Sequence, residues 1–307
     1  MALIQVRGLE KSYGTNHVLR GIDLAVDEGE ILGILGPNGS GKTTAVECIG
    51  GLRRRDAGTI RVAGMDPDDN PRGFRDLLGM QLQQCRLPAK IAVAEALALY
   101  ASFYDAPRPA AELLDRFGLV EQRRTRFAAL SGGQQQRLSV ALALIGRPRI
   151  ALLDELTTGL DPAARRDIWT YLIGLRDEGV TLILVTHFME EAQYLCDRVV
   201  IIDDGKVISS GTPAEITDAS GLQEISFESD SAVPAALLQS LPGVRDVRID
   251  RHRTVVRGDD ETAQSLIGAL AANGITIRHL RITAPSLDDA FLRLTRDDLT
   301  THDKDRS

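Results

Sequence analysis

The sequence reads Gly36-Pro37-Asn38-Gly39-Ser40-Gly41-Lys42-Thr43-Thr44, and it matches the pattern G-x-x-x-x-G-K-[ST] at every fixed position. The apolar run 31–35 before it predicts a buried strand, and the spacing of apolar residues over 44–49 predicts a helix. A strand, a glycine-rich turn and a helix start direct backbone N–H groups and a helix dipole at phosphate oxygens. The stretch therefore predicts an α/β fold that binds a nucleoside triphosphate with Mg²⁺. Lys42 is expected on the β- and γ-phosphates and the Thr43 hydroxyl on the metal.

The alternative is a glycine-rich turn that binds nothing. Three glycines followed by Lys-Thr, between a predicted strand and a predicted helix, disfavour that interpretation.

Composition limits the classes of protein that fit. A chain of 307 residues suits a large α/β domain with a smaller one, and a formal charge of −7 argues against a protein that coats nucleic acid. Its three cysteines, Cys48, Cys85 and Cys196, lack metal-ligand spacing and are expected to be reduced thiols of a cytosolic chain. The N-terminus has no signal-peptide layout, and no apolar run approaches the ~18 residues of a membrane helix. We therefore expect a chain that does not span the membrane.

A second motif, Leu130-Ser131-Gly132-Gly133-Gln134, precedes a helical pattern of apolar residues. Ser131 and Gln134 have the spacing of a capping box, so the segment could simply begin a helix. That alternative leaves the adjacent Gly132 and Gly133 unexplained, because paired glycines cost conformational entropy unless a ligand or another backbone comes close. The pentapeptide is identical to the signature of ATP-binding-cassette (ABC) proteins, and the chain resembles that family. The resemblance implies ATP as the nucleotide, and it implies that the signature contacts ATP bound to a second cassette in a homodimer.

The run 150–155 consists of four apolar residues followed by Asp154 and Glu155. In a parallel sheet, functional groups gather at the carboxyl ends of the strands. We expect Asp154 to coordinate Mg²⁺ and Glu155 to polarise the attacking water as a general base. An apolar strand that ends in an acid is common by itself, but the phosphate loop and the signature favour the functional interpretation here.

Two further segments resemble motifs of the same family. Thr158-Gly159-Leu160-Asp161-Pro162 resembles the D-loop, although a turn followed by a helix that starts at Pro162 would also explain it. The chain departs from the family at Leu156, where a proline usually follows the glutamate and helps to direct it. The β-branched run 181–187 ends in His187, which resembles the switch histidine that hydrogen-bonds the γ-phosphate.

Two positions complete the predicted site. Tyr13 precedes the first core strand, where the resemblance implies an aromatic ring stacked on adenine; an ordinary amphipathic tyrosine is the alternative. Gln83 is our choice for the Q-loop glutamine, which would bridge Mg²⁺ and water, and Gln81 and Gln84 compete with it.

The segment of about 84–130 is rich in Ala and Leu and predicts helices. Its place between the Q-loop and the signature matches the family's helical subdomain, the surface that docks a membrane permease. The arginine clusters at 53–55 and 123–126 are explained as solvated surface, and nothing in them requires nucleic acid.

After residue 220 the pattern changes to β-α-β-β-α-β, the order of a small ferredoxin-like domain. We expect a nucleotide-binding domain over 1–215, this α+β domain over 221–297, and a disordered tail over 298–307. The stretch 285–294 resembles the C-terminal motif of drug-exporter-type cassette ATPases.

The sequence thus predicts an ATP-binding and ATP-hydrolysing subunit at the cytoplasmic face of the membrane. It would power a separately encoded permease that exports drugs or other hydrophobic small molecules. The alternative within the family is a soluble ATPase of DNA repair or translation, but those relatives carry a long coiled coil or two cassettes. An ordinary P-loop kinase or GTPase would leave the signature without a purpose, and a silent binding module would have lost Lys42 or Glu155.

Overall fold

The computed structural model describes residues 2–69, 73–82, 87–218, 223–250, 253–259, 261–283 and 286–302, with side chains of the last helix described to residue 295. The chain divides into two compact units, Met1–Pro213 and Ala214–Ser307. Each unit has a sheet and a hydrophobic core of its own.

The first unit contains two sheets. Its strands are β1 (Ala2–Tyr13), β2 (Asn16–Asp27), β3 (Ile31–Leu35), β4 (Ala57–Val62), β5 (Leu78–Gln81), β6 (Ile150–Asp154), β7 (Thr181–Val185), β8 (Arg198–Asp203) and β9 (Lys206–Gly211). Six of them form one sheet in the order β5-β6-β7-β3-β8-β9, in which only β9 runs antiparallel to its neighbour. Every residue of β3, β6 and β7 is buried, which explains their continuous apolar sequences, as in a parallel sheet covered on both faces.

The other sheet of this unit is antiparallel, in the order β2-β1-β4. Buried and solvated residues alternate along β2, so one face of this sheet joins the core and the other meets water. The core contains Leu24 of this sheet, Val46 of the first helix and Leu152 of the large sheet. This sheet was not identified from the sequence.

The helices of the first unit are α1 (Lys42–Ile49), α2 (Val93–Ala101), α3 (Ala110–Arg116), α4 (Gly132–Leu144), α5 (Pro162–Asp177) and α6 (Met189–Leu195), and α7 (Pro213–Asp218) begins at the boundary of the units. Helix α2 begins directly after Ala92, whose backbone N–H donates to the Glu95 carboxylate at 2.9 Å. Over the described residues, no helix combines the length and hydropathy needed to cross a bilayer.

The second unit has the predicted order of elements: β10 (Gln223–Ser229), α8 (Ala235–Gln239), β11 (Val244–Asp250), β12 (Arg253–Gly258), α9 (Thr262–Ala272) and β13 (Ile277–Thr283), followed by α10 (Leu287–His302). Its strands pair antiparallel in the order β11-β12-β10-β13. Ile225, Phe227 and Val256 form the core with Leu266 and Leu270 of α9. The ferredoxin-like fold predicted from the alternation is therefore confirmed.

The last helix differs from the sequence-based expectation. Disorder was expected over 298–307, but the backbone is helical to His302. The sequence 287–302 contains no glycine or proline that would end a helix, and polarity alone does not prevent helix formation. Residues 303–307 lie outside the described residues.

The contact between α4 and β5 gives a test of this packing. A Cβ at Gly79 would lie 2.0 Å from the Ala143 carbonyl oxygen of α4, whereas a Cβ at Gly174 in α5 would meet nothing within 4 Å. We expect Gly79→Ala to lower the free energy of unfolding by about 1–3 kcal/mol or more. Gly174→Ala, the matched control, should raise it by up to about 1 kcal/mol because alanine favours helix.

The measurement is urea unfolding followed by the fluorescence of Trp169, the single tryptophan, which lies in the first unit. Equal midpoints for the two alanine variants would contradict the tight contact between α4 and β5.

Candidate functional site

The turn 36–41 joins β3 to α1, and close contacts require glycine at two of its three glycine positions. A Cβ at Gly36 would lie 2.1 Å from the Ile202 carbonyl oxygen. Gly41 precedes α1 with φ of +103°, and a Cβ there would lie 2.6 Å from Leu19 Cδ2. Pro37, Asn38 and Gly39 form the exposed tip of the turn, while Ser40 is buried behind it and Thr44 lies in the first turn of α1.

The Lys42 side chain lies inside this turn. Its ammonium group donates to the carbonyl oxygens of Gly36 at 2.8 Å and Pro37 at 2.7 Å. Burial lowers the pKa of Lys42, and the nearby carboxylates of Asp154 and Glu155 oppose that shift. The cation is thus held at the turn by carbonyl dipoles, next to the N-terminus of α1.

Thr43 and Asp154 bring the end of the run 150–155 next to the phosphate loop. The Thr43 hydroxyl donates to Asp154 Oδ2 at 2.9 Å, and Asp154 is almost fully buried at the end of β6. Burial raises the pKa of Asp154, although the hydrogen bond from Thr43 and the charge of Lys42 act against it. A nearby cation would therefore favour the ionised form of this carboxyl group.

The oxygen atoms at this place fit Mg²⁺. A hydroxyl and one carboxylate are hard ligands, and protein Mg²⁺ sites commonly use only one or two carboxylates together with substrate phosphates. In keeping with this, the described part of the chain holds no cluster of three or more His, Cys, Asp or Glu side chains that could bind a metal alone. The Ser40 hydroxyl is buried next to Gly36 and has no hydrogen-bond partner among the described residues. Such an atom suits a polar ligand at the turn.

Glu155 and His187 meet because β6 and β7 are neighbours in the sheet. His187 Nδ1 lies 3.3 Å from Glu155 Oε1. The Glu155 backbone has a positive φ of 51° and is held by three hydrogen bonds. Its N–H donates to Val185 O at 2.8 Å, and its carbonyl oxygen accepts from Gln136 Nε2 at 3.0 Å and from Thr158 N at 3.2 Å. Leu156, which stands where the family has proline, is buried.

Gln136 was missed by the sequence analysis. It belongs to α4, two positions after Gln134, and the run Gln134-Gln135-Gln136 was the only signal that pointed to it.

The predicted Q-loop glutamine, Gln83, and its competitor Gln84 lie outside the described residues. The other competitor, Gln81, ends β5 and is buried. Its Oε1 accepts from the backbone N–H of Asp154 at 3.1 Å, while its Nε2 donates to Leu82 O at 2.9 Å. Gln81 therefore fixes the backbone of Asp154 from the neighbouring strand.

The signature segment begins α4 with the capping box that its spacing predicts. Ser131 N donates to Gln134 Oε1 at 2.9 Å and Gln134 N donates to Ser131 Oγ at 3.3 Å, so the capping box is present. A Cβ at Gly133 would lie 3.1 Å from the Gly159 carbonyl oxygen, which is the close backbone approach expected of a glycine pair. Gly132 is exposed, and a Cβ there would meet nothing within 4 Å. The chain thus leaves space directly in front of the signature.

The segment after Glu155 leads into α5 as predicted. Asp161 is the N-cap of that helix, with Oδ1 accepting from Ala163 N at 3.1 Å and Ala164 N at 3.0 Å, and Pro162 is its first residue. These backbone hydrogen bonds lower the pKa of Asp161.

Tyr13 ends β1 and exposes 41% of its surface. The guanidinium carbon of Arg53 lies 5.4 Å and Lys11 Nζ 5.8 Å from its ring centroid. An exposed ring between two cations is suited to a flat, anionic ligand such as a nucleotide.

Two family models match the chain. Residues 19–158 match the model described as ABC transporter, and residues 211–295 match that of the C-terminal domain of DrrA1-3-like ATP-binding proteins. The second match covers most of the ferredoxin-like unit.

Curated relatives match almost the whole chain. The daunorubicin resistance ATP-binding protein DrrA3 of Streptomyces coeruleorubidus is 36% identical, with 96% of each chain covered. The linearmycin resistance ATP-binding protein LnrL of Bacillus subtilis is 31% identical over 95% of this chain and 98% of its own. The Nod factor export ATP-binding protein I of Ralstonia nicotianae is 36% identical over 95% and 94%.

Solved structures match the cassette part. An ATP-binding subunit of an ABC transporter superposes with a TM-score of 0.65 at 29% identity, covering 71% of this chain and 93% of its own. A dimeric ATP-binding cassette in a post-hydrolysis state, bound to ADP and Pi, superposes with a TM-score of 0.64 at 28% identity, covering 68% and 98%. With these likenesses the resemblance drawn from the signature is confirmed. The chain belongs to the ABC transporter family, as an ATP-binding, ATP-hydrolysing subunit of the drug-resistance and export type.

Proposed function

We propose that this chain, as a homodimer at the cytoplasmic face of the membrane, hydrolyses Mg²⁺-ATP to power a separate permease that exports drugs or other hydrophobic small molecules. The convergence of Thr43, Asp154, Glu155 and His187 at the carboxyl ends of adjacent strands carries the proposal. The names of the relatives, two for drug resistance and one for export, support the exporter assignment over DNA repair or translation.

The phosphate loop is proposed to bind the triphosphate. The amides of 36–41 and the N-terminus of α1 face it, and the Lys42 ammonium exchanges the carbonyl oxygens of Gly36 and Pro37 for phosphate oxygens. Thr43 and Asp154, with Gln83, hold Mg²⁺, which neutralises phosphate charge. Tyr13 stacks on the adenine.

Glu155 and His187 are proposed to act on the reacting groups. Glu155 accepts a proton from the attacking water as a general base, while His187 hydrogen-bonds the γ-phosphate. Their 3.3 Å separation supports the proposal, because two groups on one water and one phosphate must lie within a few ångström of each other.

The signature is proposed to complete the site of a second copy. Ser131, Gly132, Gly133 and Gln134 would contact the γ-phosphate of ATP on the partner's phosphate loop. The open space in front of Gly132 supports this arrangement, as does the dimeric state of one similar cassette.

The remaining parts of the chain are proposed to serve the permease. We assign the cassette domain to 1–215, the permease-docking helical subdomain to about 84–130, and the accessory domain to 221–297. Helices α2 and α3 and the turn at Phe127–Ala129 supply the docking surface.

Lys42→Ala tests the phosphate loop. Because a hydrogen bond to a charged group contributes about 1.5–3 kcal/mol, its loss should weaken ATP affinity by about 10- to 100-fold. Isothermal titration with Mg²⁺-ATP measures the change, and Lys206→Ala, an exposed lysine of β9, is the matched control. Equal affinities of the two variants would contradict the assignment.

Substitutions of the two adjacent carboxylates should have different effects. Glu155→Gln keeps shape and hydrogen bonding but removes the base, so turnover should fall about 10²–10⁴-fold while ATP stays bound. Asp154→Asn removes a metal ligand, so Mg²⁺-dependent ATP binding should fall together with turnover.

Turnover, ATP affinity and the ATP-dependent dimer fraction are measured on the same preparations of these variants. Glu155→Gln should accumulate the dimer with ATP. Unchanged turnover in Glu155→Gln would refute the general-base role.

Gly132→Glu tests the composite site with little effect on the single chain. The side chain enters open space, and an acidic residue in the first helical turn is favoured by the helix dipole. A carboxylate there would repel the phosphates of a nucleotide on a second copy. We expect normal ATP binding but neither dimerisation nor hydrolysis, as judged by light scattering and phosphate release.

Gly174→Glu, which enters open space in α5, controls for the added charge. Mixed with Lys42→Ala protein, Gly132→Glu protein should form a heterodimer with one intact composite site. A Gly132→Glu protein that dimerises and hydrolyses like the Gly174→Glu control would exclude a role for the signature in the partner's site.

A further inference from the structure

Glu191 is a fully buried carboxyl group to which the proposed chemistry assigns no part. It lies in the first turn of α6, with 0% of its surface exposed. Burying a carboxyl group is unfavourable unless hydrogen bonds compensate, so its position calls for a physical reason.

Three segments meet at this carboxyl group, and two of them adjoin site residues. Trp169 Nε1 of α5 donates to Glu191 Oε1 at 3.1 Å. The hydroxyls of Thr186, next to His187, and of Thr157, two residues after Glu155, lie close enough to lower its pKa against the larger effect of burial. Glu191 is therefore placed between the strand end that bears His187 and the turn that follows Glu155.

One connection in this cluster is incomplete. Glu191 Oε2 and Thr157 Oγ1 are both buried, and neither has a hydrogen-bond partner within the described ranges. The Thr157 hydroxyl can donate to this carboxylate oxygen, and it already lies near enough to lower the pKa of Glu191. That bond would join the segment that follows Glu155 to the helix that follows His187.

The surrounding contacts hold the α6 side of the cluster in place. The Arg165 guanidinium of α5 lies 4.9 Å above the Phe188 ring, and Trp169 stacks on Tyr194 with ring centroids 5.0 Å apart. Phe188 N donates to Thr186 Oγ1 at 3.0 Å, which fixes the backbone on both sides of His187.

We propose that Glu191 is a positioning residue of ATP hydrolysis, which aligns Glu155 with His187 by hydrogen-bonding Thr157 in the hydrolysis-competent state. The inference rests on the proposed roles of Glu155 and His187. It adds a specific pair, Glu191 and Thr157, to the groups that the reaction requires.

The test compares steady-state ATP hydrolysis of Glu191→Met and Glu191→Gln. Methionine fills the space without a hydrogen bond, so kcat should fall about tenfold or more with the KM for ATP unchanged, because a small misplacement of reacting groups is costly. Glutamine can accept from Trp169 and donate to Thr157, so it should restore most of the turnover. Glu190→Met, an exposed neighbour on the same helix, is the matched control.

Thr157→Val and Thr157→Ser keep the test decisive if Glu191→Met folds poorly. Valine keeps the shape but lacks the hydroxyl and should lower kcat as Glu191→Met does, whereas serine should not. The double variant Glu191→Met/Thr157→Val should lose no more than the larger single loss, because both remove the same bond.

Trp169 emission and the thermal midpoint, measured on every variant, separate positioning from folding. A shifted emission in Glu191→Met, but not in Glu191→Gln, would support the hydrogen bond to Trp169 in solution. Full turnover in folded Glu191→Met and in Thr157→Val would overturn the inference. A loss of kcat that parallels a fall in the thermal midpoint would also overturn it, and so would a rise in the KM for ATP with kcat unchanged. Normal turnover in Glu155→Gln would instead refute the proposed function.

Discussion

The parallel pairing of β6, β7 and β3 is the constraint on which the rest of the cassette depends. Its hydrogen bonds set the register of three strands that are buried along their whole length. The chain segments that leave these strands must therefore emerge at one edge. The Thr43–Asp154 and Glu155–His187 contacts follow from that shared edge. Asp154, Glu155 and His187 lie at or within two residues of the ends of β6 and β7, and Thr43 lies at the start of the helix that follows β3. A shift of register by one residue would separate both pairs.

Local sequence was sufficient to predict the strands and helices that have a distinct pattern of apolar, polar or capping residues. The apolar runs of β3, β6 and β7, the helix start at Pro162 and the ferredoxin-like order of the second unit were all predicted from patterns of a few residues. The β2-β1-β4 sheet was not, because the pairing of β1 with β4 spans a long stretch of chain that contains β2, β3 and α1. The extension of α10 was missed for a different reason, since its polar composition was taken for disorder.

In the site, the sequence identified groups that carry charge or reactivity but not those that hold them. Gln81 and Gln136 act on backbone atoms of Asp154 and Glu155. Their roles depend on which strand or helix lies alongside, and a single sequence does not contain that information. The same holds for Glu191, whose surroundings come from three separate segments. Ser131 shows a further limit of prediction from sequence. It caps α4 in the single chain, and the same residues would be needed for a capping box and for a contact with a second cassette, so the sequence could not distinguish the two roles.

The contact between Gly133 and Gly159 has a consequence for communication between the two catalytic centres of the proposed homodimer. It joins the start of α4 to the segment after Glu155 through bare main chain, with no side chain between them. A displacement of the start of α4 is thus passed directly to the segment after Glu155, because no rotatable side chain lies between them to absorb it. In a symmetric pair of cassettes, the element that touches one nucleotide would move with the element that senses cleavage of the other. Backbone geometry would then set the relative timing of ATP hydrolysis at the two sites. Because the contact has no side chain of its own, evolution could change that timing only through the residues that pack around it.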